Sequence, residues 1–546
     1  MQNSPDQKRL VIAVVLSLGV LLGWGYFFPA PKAPPPVVNA TADNTTQPQA
    51  LQAEQFSAPT PAEPVKTVAG SPVVVQGPLY KAVFNTAGGW CSTFQLHQYK
   101  VSIEEGAPDV DLVAPGAGVA FPMGVLFSKY PTWEVFSWGP ALGADGQPVS
   151  ELNLADGKNA TLSFVGEAAG IRLVRTLTFD PTTYYIAESL AIRNISEDAK
   201  QVGDVRFTMS VLPFTAAGDS YNVTRVAAYD DDGFKEDHDQ KDLRDKGFHR
   251  DKGVRWGGVL SNYFMAVLAP VNLDAPAQFQ ARLEDGIFRT SLTTPAEQLA
   301  PGAETVIKMG YYLGPKDPAY LDVLPNSLAT AIDYGFFNVI AKPLLVALNF
   351  FYSLVGNYGV AIILLTICVK ILFWPLSAKS YKSMEQMKKL QPMMAKIREK
   401  HADDRQKMNE EMMRLYKTYK VNPAGGCLPM LLQIPVFIGL YQALLGAIQL
   451  RHAAFISHVP FTDLIWLADL SAKDPYYVTP LIMGGTMFLQ QKLSPPPGDP
   501  MQAKIMMLMP VIFTFMFLNF SSGLVLYWLV NNVLSIAQQK WMLRNA

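Results

Sequence analysis

The chain has 546 residues, of which 49% are hydrophobic and 17% are charged, and its formal net charge is −1. It is longer than one ordinary domain and too apolar for a purely soluble protein. Its three cysteines are sparse and widely separated, which argues against a disulfide scaffold. No Walker-type phosphate-binding loop occurs, so ATP-driven work has no basis in the sequence.

The first predicted element is an N-terminal membrane anchor. Leu10 to Phe28 is a stretch of nineteen uncharged residues that follows two basic ones. It is span-length and longer than the apolar core of a signal peptide, so residues 1–28 are predicted to be an uncleaved anchor with its N-terminus in the cytoplasm. Cleavage near Ala40-Thr41-Ala42 is the alternative. Residues 29–71 are rich in proline and small or polar residues, and they are predicted to be a linker without a core.

Residues 72–325 change to short β-like runs that are broken by Gly, Pro, Asn and Asp. Alternating aromatic and β-branched residues in these runs predict an antiparallel sandwich. The clearest predicted strands are Pro78–Phe84, Ala160–Val165, Ile171–Phe179, Tyr184–Arg193, Val205–Val211 and Val306–Leu313. The acidic segment Asp230–Gly247 lacks calcium-loop spacing and is interpreted as a solvated loop rather than a cation site. No pair of acid and base residues points to an enzyme.

Residues 334–355 are predicted to form an apolar helix with one narrow polar stripe. Four polar residues fall within about 60° of each other on a helical wheel. They are Asn338, Lys342, Asn349 and Ser353. This pattern suits a helix that lies in the membrane interface. A helix that packs against the sandwich is the alternative.

Five further membrane spans are predicted, at residues 357–376, 427–450, 474–492, 503–520 and 523–540. The apolar runs of the last three are shorter than a standard bilayer requires, so they must thin the bilayer or be shielded by neighbours. Ser521-Ser522-Gly523 leaves a tight turn between the last two. The segment 377–426 has twelve Lys or Arg against six Asp or Glu, which places it in the cytoplasm. Six spans then put both termini inside and the β region outside the cytoplasm.

Lys370 is a charge inside the second predicted span, where charged residues usually face a protein interior or water. It lies about 9 Å from the cytoplasmic end of the span, so a side chain that reaches the lipid headgroups is the alternative. Three spans carry further polar residues at a similar depth: Thr366, Gln433, Asn531 and Asn532. We interpret them as a hydrated cavity open to the cytoplasm and lipid. Hydrogen bonds that only join the helices are the alternative.

Residues 377–426 are predicted to form a cytoplasmic helical hairpin. Two apolar stripes follow helical spacing: Met384, Met387, Leu390, Met394 and Ile397, and then Met408, Met412, Leu415 and Tyr419. Asp403 is the predicted N-cap of the second helix. The methionines suit a surface that accepts varied apolar partners, although the stripes could simply hold the two helices together. The basic face fits anionic lipid or ribosomal RNA equally well.

Three long segments carry a resemblance to the YidC/Oxa/Alb family of bacterial membrane-protein insertases, in its Gram-negative form. They are YKVNPAGGCLPMLLQIPVFIGLYQALLGAIQLRHAAF, DPYYVTPLIMGGTMFLQQKLSP and DPMQAKIMMLMPVIFTFMFLNFSSGLVLYWLVNN. The resemblance implies a multi-domain membrane protein. Five of its six spans form an α-helical transmembrane core, and the periplasmic domain is an all-β supersandwich. It also implies a hydrophilic groove that is open to the cytoplasm and lipid and closed toward the periplasm.

The resemblance implies roles for particular residues. Lys370 matches the positive groove position, where the family usually has Arg, and lysine keeps the charge without the planar set of donors. Thr366, Gln433 and Tyr527 match groove or substrate-contact positions. The family's basic tail is nearly absent after Trp541, which weakens the expectation that a tail binds the ribosome.

The function implied is that of an ATP-independent insertase and chaperone of the bacterial inner membrane, without a cofactor or metal and without enzyme activity. Its expected partners are nascent membrane proteins, lipid, the Sec translocon and the ribosome. Two other functions compete with this interpretation. A solute transporter would usually show internal repeats, and none is convincing here. A periplasmic sugar-acting enzyme lacks the required carboxylate pair.

Overall fold

The computed structural model describes residues 70–114, 121–127, 130–214, 222–271, 277–401, 404–419, 421, 428–458, 465–493 and 500–544. The predicted anchor and all but the last two residues of the predicted linker lie outside these ranges. The described chain has an N-terminal β-rich region, which we call the β-domain, followed by a set of long helices.

Twenty strands form the described part of the β-domain. They are β1 (Pro72–Gln76), β2 (Tyr80–Asn85), β3 (Cys91–Lys100), β4 (Asp109–Asp111), β5 (Gly124–Phe127), β6 (Tyr130–Pro131), β7 (Ser137–Trp138), β8 (Glu151–Asn153), β9 (Ala160–Ala168), β10 (Ile171–Phe179), β11 (Tyr185–Asn194), β12 (Lys200–Val211), β13 (Arg225–Asp230), β14 (Gly233–Asp237), β15 (Phe248–Arg250), β16 (Trp256–Leu260), β17 (Phe264–Pro270), β18 (Gln278–Glu284), β19 (Ile287–Leu299) and β20 (Glu304–Pro315). Three short helices accompany them: α1 (Thr132–Val135), α2 (Gln240–Asp245) and α3 (Pro318–Leu321).

These strands make three sheets. A five-stranded sheet has the order β4-β3-β2-β1-β8, a nine-stranded sheet has β14-β13-β16-β17-β20-β11-β10-β9-β7, and a six-stranded sheet has β15-β18-β19-β12-β5-β6. Among the described strand pairs, β1 and β8 run parallel and the others antiparallel. The six strands predicted most clearly all occur, with ends that differ by a few residues, because their alternating residues bury one face against a shared core.

A buried ion pair ties two neighbouring strands of the nine-stranded sheet together. Arg175 on β10 and Glu188 on β11 are fully inaccessible, and they pair through Nε–Oε1 at 2.8 Å and Nη2–Oε2 at 2.9 Å. The Tyr311 hydroxyl on β20 also donates to Glu188, at 2.6 Å. Arg175 also donates to the carbonyls of Met123 and Gly88. These bonds use N–H donors of the buried guanidinium that the pair with Glu188 leaves open.

The interpretation of Asp230–Gly247 as a solvated loop is wrong in part. The segment contains the end of β13, all of β14 and the helix α2. Asp230 is buried and pairs with Arg250, whose Nε lies 2.5 Å from a carboxylate oxygen. Acidic residues of this segment therefore lie in the β13–β14 hairpin and at the start of α2, where Asp239 is the N-cap residue. The described residues contain no cluster of three or more potential metal ligands.

Seven longer helices follow the β-domain. They are α4 (Asn338–Val355), α5 (Tyr358–Lys400), α6 (Arg405–Thr418), α7 (Leu428–Gly446), α8 (Val478–Leu493), α9 (Pro500–Phe517) and α10 (Ser522–Arg544). By length and composition, residues 335–355 and 358–400 are each apolar enough to cross a membrane. Between α9 and α10 only four residues intervene, at the tight turn predicted from the sequence.

The helix α4 packs against α5 and α7 rather than against the sheets. Ala341, Leu345 and Leu348 form its buried face. A second face is apolar but exposed, and it follows a stripe of Val339, Val346, Phe350 and Leu354. The alternative that α4 covers the sandwich is therefore wrong, and an exposed apolar stripe next to the polar one suits the predicted position in the membrane interface.

The predicted boundary between the second span and the hairpin does not interrupt the helix. Residues 357–376 and the first arm of the hairpin are one continuous helix, α5, of 43 residues that contains Pro375 and Pro392. Ser377 and Ser380 are buried just after Pro375, so tertiary contacts hold this turn in helical form although the proline removes a hydrogen bond. The second arm, α6, is capped by Asp404, which accepts from the Lys407 amide at 3.0 Å. The prediction of Asp403 is thus one residue early.

The β-domain and the helices meet near the end of α7. Ile448 is buried in the same hydrophobic cluster as the sheets. Arg451 donates to the Lys100 carbonyl on β3 at 2.6 Å, and its guanidinium lies 5.3 Å from the centre of the Phe264 ring. The C-terminal end of α7 is therefore the end of the helical bundle that faces the β-domain.

Candidate functional site

Lys370 is joined to the last helix by a short hydrogen bond. Its Nζ donates to Ser535 Oγ on α10 at 2.6 Å, and that hydroxyl donates to the Asn531 carbonyl one turn earlier at 2.7 Å. Lys370 takes part in none of the salt bridges found among the described residues. Its ammonium is thus held by a neutral hydroxyl, and no carboxylate in the described part of the chain neutralises its positive charge.

A small cleft, with a volume of about 20 Å³, lies beside this lysine, which is room for about one water molecule. It is lined by Val369, Lys370, Phe373, Leu376, Ser377, Gln433 and Asn531, which belong to α5, α7 and α10. The Gln433 amide donates to Asn531 Oδ1 at 2.7 Å across the cleft. We call these residues, together with Ser535, the Lys370 cleft. Lys370 lies twelve residues after the start of α5, or about 18 Å along the helix, so the cleft is far from the β-domain end.

Two of the predicted groove residues face away from the cleft. Thr366 is 1% exposed and donates to the Ile362 carbonyl of its own helix at 2.7 Å. Asn532 points to α8 and donates to Thr486 Oγ1 at 3.4 Å. Tyr527 is 1% exposed in the apolar core of the bundle, and its hydroxyl lies beside the Gln433 side chain. The structure therefore brings together Lys370, Gln433 and Asn531, with Tyr527 next to Gln433, but not Thr366 or Asn532.

Sequence reasoning missed Ser377 and Ser535, although a signal for both was present. Ser535 is four residues after Asn531, and Ser377 is seven after Lys370, so each lies on the same helical face as its partner. Small hydroxyl residues in apolar helices are easily taken for intrahelical hydrogen bonders. Here both are buried beside the cleft.

An apolar core closes the bundle between the cleft and the β-domain. Leu365 of α5, Leu440 and Leu444 of α7, Met483 of α8 and Leu524 of α10 are all buried in it. Beyond them the connecting loops are hydrogen-bonded to helix ends. For example, Asp474 accepts from the amide and hydroxyl of Thr479 at 2.7 and 2.8 Å at the start of α8. The described bundle thus has a polar cleft toward one end and a dry core toward the other.

The outer surface of the bundle exposes large apolar side chains. On α9 they follow a run of Ile505, Met507, Leu508, Val511, Ile512 and Phe515, each roughly half exposed or more. Ile371 and Leu372 on α5 and Leu481 and Ile482 on α8 continue this surface. Exposed large apolar side chains in this number on several helices fit contact with lipid chains.

The methionine stripes of the hairpin mainly pack against each other. Leu390, Met394 and Val421 form a buried cluster, with Met387, Met393, Met412, Leu415 and Tyr416 against it. The Tyr416 hydroxyl contacts the Met394 sulfur at 3.9 Å. Met384 and Met408 are half-buried outside this cluster, and Met413 on the opposite face is 43% exposed. Three of the five predicted contact methionines therefore hold α5 and α6 together.

The fold and the cleft define a class of protein, namely a helical membrane protein with a polar cleft in its bundle and a large β-domain outside the membrane. Two family models match consecutive parts of the chain. The first is described as the YidC periplasmic domain and covers residues 72–347, and the second is described as the 60Kd inner membrane protein and covers residues 350–546. The chain belongs to the YidC family of inner-membrane proteins with a periplasmic domain.

Full-length relatives agree with this assignment. The membrane protein insertase YidC of Oleidesulfovibrio alaskensis is 54% identical over 99% of this chain and 100% of its own length. The protein of the same name in Lawsonia intracellularis is 48% identical over 99% and 100%. A solved structure of an active YidC insertase is 18% identical, covers 86% of this chain and 94% of its own, and gives a TM-score of 0.36. At that score the likeness supports no residue-level comparison.

Proposed function

We propose that this protein inserts and folds integral membrane proteins in the bacterial inner membrane, without ATP and without a covalent step. One observation carries the proposal. The Lys370 ammonium, which has no carboxylate partner among the described residues, lies in a polar cleft between three helices of the apolar bundle. A charge is costly at this depth and is usually kept for a function.

The cleft would act by attraction and hydration. A short polar or acidic segment of a nascent chain enters beside Lys370, where the positive charge and the amides of Gln433 and Asn531 replace part of its lost water. The apolar core beyond the cleft stops the segment from passing straight through. The adjoining apolar helix of the substrate then leaves along the exposed surface of α5 into lipid, and its burial drives the process at about 25 cal/mol per Å².

Short helices would lower the remaining barrier. The helix α8 has 16 residues and α9 has 18, which correspond to about 24 and 27 Å, against about 30 Å for the hydrocarbon core of a bilayer. A bilayer that matches these helices is locally thinner. The polar segment therefore has a shorter apolar distance to cross.

The topology we propose follows the charges. The hairpin of α5 and α6 lies in the cytoplasm with both chain termini, and the β-domain lies in the periplasm. Exposed basic residues on the hairpin, such as Lys388, Lys389 and Lys396, would meet anionic lipid or the ribosome. The protein would act alone on small substrates and with the Sec translocon on larger ones.

Insertion into liposomes tests the proposal. Purified full-length protein is reconstituted without Sec, a small substrate with an acidic external segment is added, and protease protection reports insertion. We expect wild type and Lys370→Arg to insert, Lys370→Ala to lose most insertion, and Lys370→Glu to lose nearly all of it. Lys379→Glu, an equal charge reversal on an exposed residue of the same helix, is the matched control and should insert normally.

Different results would contradict the role of the cleft charge and the autonomous insertase activity. If Lys370→Glu inserts as well as Lys379→Glu, the cleft does not work through its charge. If wild type inserts no more than empty liposomes do, the protein is not an autonomous insertase. A solute transporter, the main alternative, would instead move a small anion across the sealed liposome in a Lys370-dependent manner.

A further inference from the structure

A second cavity, with a volume of about 330 Å³, lies where the β-domain meets the helical bundle. This volume is at the lower end of the roughly 300–1,000 Å³ of small-molecule sites. The cavity is lined by Arg225, Phe234, Glu236, Asn262, Lys316, Ala331, Ile332, Asp333, Tyr334, Gly335, Gln442, Leu445 and Gly446. Its walls therefore come from β13, β14, the end of β20, the segment before α4, and the C-terminal end of α7.

Two positive and two negative side chains face this space. Arg225 Nε and Glu236 Oε2 are 2.7 Å apart. Lys316 is only 7% exposed, and its Nζ donates to the Ser261 carbonyl at 3.3 Å. Among the described residues this carbonyl is the one hydrogen-bond partner of the Lys316 ammonium. Its other two N–H donors have no acceptor among these residues and are available to a ligand in the cavity that Lys316 lines.

The fourth charge sits at the open side of the cavity. Asp333 is exposed, and its Oδ1 accepts from the Gly335 amide at 2.8 Å. Just after it, Phe336 is 86% exposed and Val339 is 84% exposed. Charged groups around a cavity whose rim continues into an exposed apolar stripe match the boundary between headgroups and acyl chains.

We propose that this cavity binds the zwitterionic headgroup of a phospholipid that carries a phosphate and a primary ammonium, as phosphatidylethanolamine does. The phosphate pairs with Lys316 and Arg225 and supplies the acceptors that Lys316 lacks. The ammonium of the lipid is held by Asp333 and Glu236. The acyl chains leave past Phe336 and Val339, along the exposed stripe of α4.

The charge pattern selects this headgroup over its common competitors. A singly anionic headgroup without an ammonium, such as phosphatidylglycerol, leaves Asp333 without a cationic partner, while Glu236 keeps only its pair with Arg225. A phosphocholine headgroup carries the charge but no N–H donor for these carboxylates. A bound lipid would fix the β-domain against the membrane, a role separate from that of the Lys370 cleft.

Native mass spectrometry of the full-length protein in detergent micelles tests this inference. Phosphatidylethanolamine, phosphatidylglycerol and phosphatidylcholine with identical chains are added in turn, and the fraction of lipid-bound protein is measured. We expect phosphatidylethanolamine to bind best, and Lys316→Met and Asp333→Asn each to weaken its binding about ten-fold. Lys308→Met changes an exposed lysine on β20, the strand that Lys316 directly follows; it is the matched control and should bind like wild type.

Asp333→Asn guards against a folding artefact, because asparagine can still accept from the Gly335 amide while the charge is lost. Equal binding of all three lipids, or binding that neither Lys316→Met nor Asp333→Asn weakens, overturns the inference. Glycerophosphoethanolamine, which has the headgroup without acyl chains, separates a lipid from a soluble source. If it binds as tightly as the lipid, the acyl-chain part of the inference is wrong.

Discussion

Lys370 Nζ and Ser535 Oγ are 2.6 Å apart, although 165 positions separate the two residues in the sequence. This contact links the second predicted span to the last one, and it holds the ammonium at the wall of the cleft. In the part of the chain that the structure describes, Lys370 has no counter-ion. The charge is hydrogen-bonded to a neutral hydroxyl, which leaves its field available to a substrate.

Ser535→Ala removes this hydrogen bond and leaves the charge in place. A hydrogen bond to a charged group contributes about 1.5–3 kcal/mol, and water in the cleft can replace part of it. We therefore expect the free energy of unfolding to fall by about 1 kcal/mol. Insertion should fall far less than in Lys370→Ala. Ser353→Ala, which removes an exposed hydroxyl on α4, is the control. An insertion defect as large as that of Lys370→Ala would mean that Ser535 itself contacts the substrate.

Variants of Gln433 and Asn531 test whether the polar cleft is needed for insertion or whether these two residues only join the helices. Either residue changed to Leu leaves the other amide unpaired, and the loss should be about 0.6–1.7 kcal/mol. The double Leu variant should recover stability, because neither amide is then left without a partner. If the cleft must be polar, the double variant stays folded but inserts poorly.

Asn532→Leu is the matched control for that experiment. Asn532 neighbours Asn531 in the sequence but bonds to Thr486 on α8 instead of lining the cleft. We expect its insertion activity to remain near wild type after correction for stability. Full activity in the Gln433→Leu/Asn531→Leu variant would show that these amides only connect α7 and α10.

The buried pair in the β-domain should be far more important for stability than its exposed neighbour. Arg175→Met leaves Glu188 buried without a cation and should cost about 3–5 kcal/mol. Arg172→Met, three residues earlier on β10, breaks an exposed pair with Glu167 and should cost under about 1 kcal/mol. Hydrogen–deuterium exchange of β10 and β11 in the full-length protein measures both. Similar exchange in the two variants would contradict the structural role of the pair.

Lys316 should make stability depend on pH. Burial lowers its pKa from 10.5 to about 7, with Arg225 adding a smaller repulsion, while Glu236 and Asp333 act in the opposite direction. The unfolded chain therefore binds more protons than the folded chain between pH 7 and 10.5, so this residue makes stability rise with pH in that window. Below pH 7 its contribution is constant.

The measurement is the difference in free energy of unfolding between wild type and Lys316→Met, followed from pH 6 to pH 10. We expect the wild type to gain on the variant by several kcal/mol above pH 7, because one pKa unit corresponds to about 1.4 kcal/mol. Taking the difference removes the effect of the other lysines. A flat difference would show that Lys316 is well solvated.

The hairpin methionines should divide into structural and exposed ones. Met394→Ala opens a cavity in the cluster between α5 and α6 and should cost about 2 kcal/mol or more, measured by protease resistance of the hairpin. Met413→Ala changes an exposed side chain and should leave resistance unchanged. Crosslinking of a substrate to position 413 but not to position 394 would assign the partner-binding role to the exposed face.

Much of the architecture follows from local patterns in the sequence. The strands around Ile171 and Val306 are fixed by alternation, because one face must be buried, and the helices from Leu428 onward by long apolar runs. Lys370 could be identified from the sequence, because a lone lysine in an apolar segment is energetically costly however the helix is packed. The long matched segments identified the family without any structure.

Tertiary structure decided which polar residues meet. Thr366 and Asn532 are at plausible depths, but the rotation of each helix turns them into the core or toward another neighbour, and depth along a span does not specify rotation. Ser535 entered the site for the same reason. Lys316, a buried lysine with one hydrogen-bond partner among the described residues, looks like an ordinary lysine near a strand end in the sequence. Only the packing of the sheets against α7 encloses it, because burial depends on residues far away in the chain.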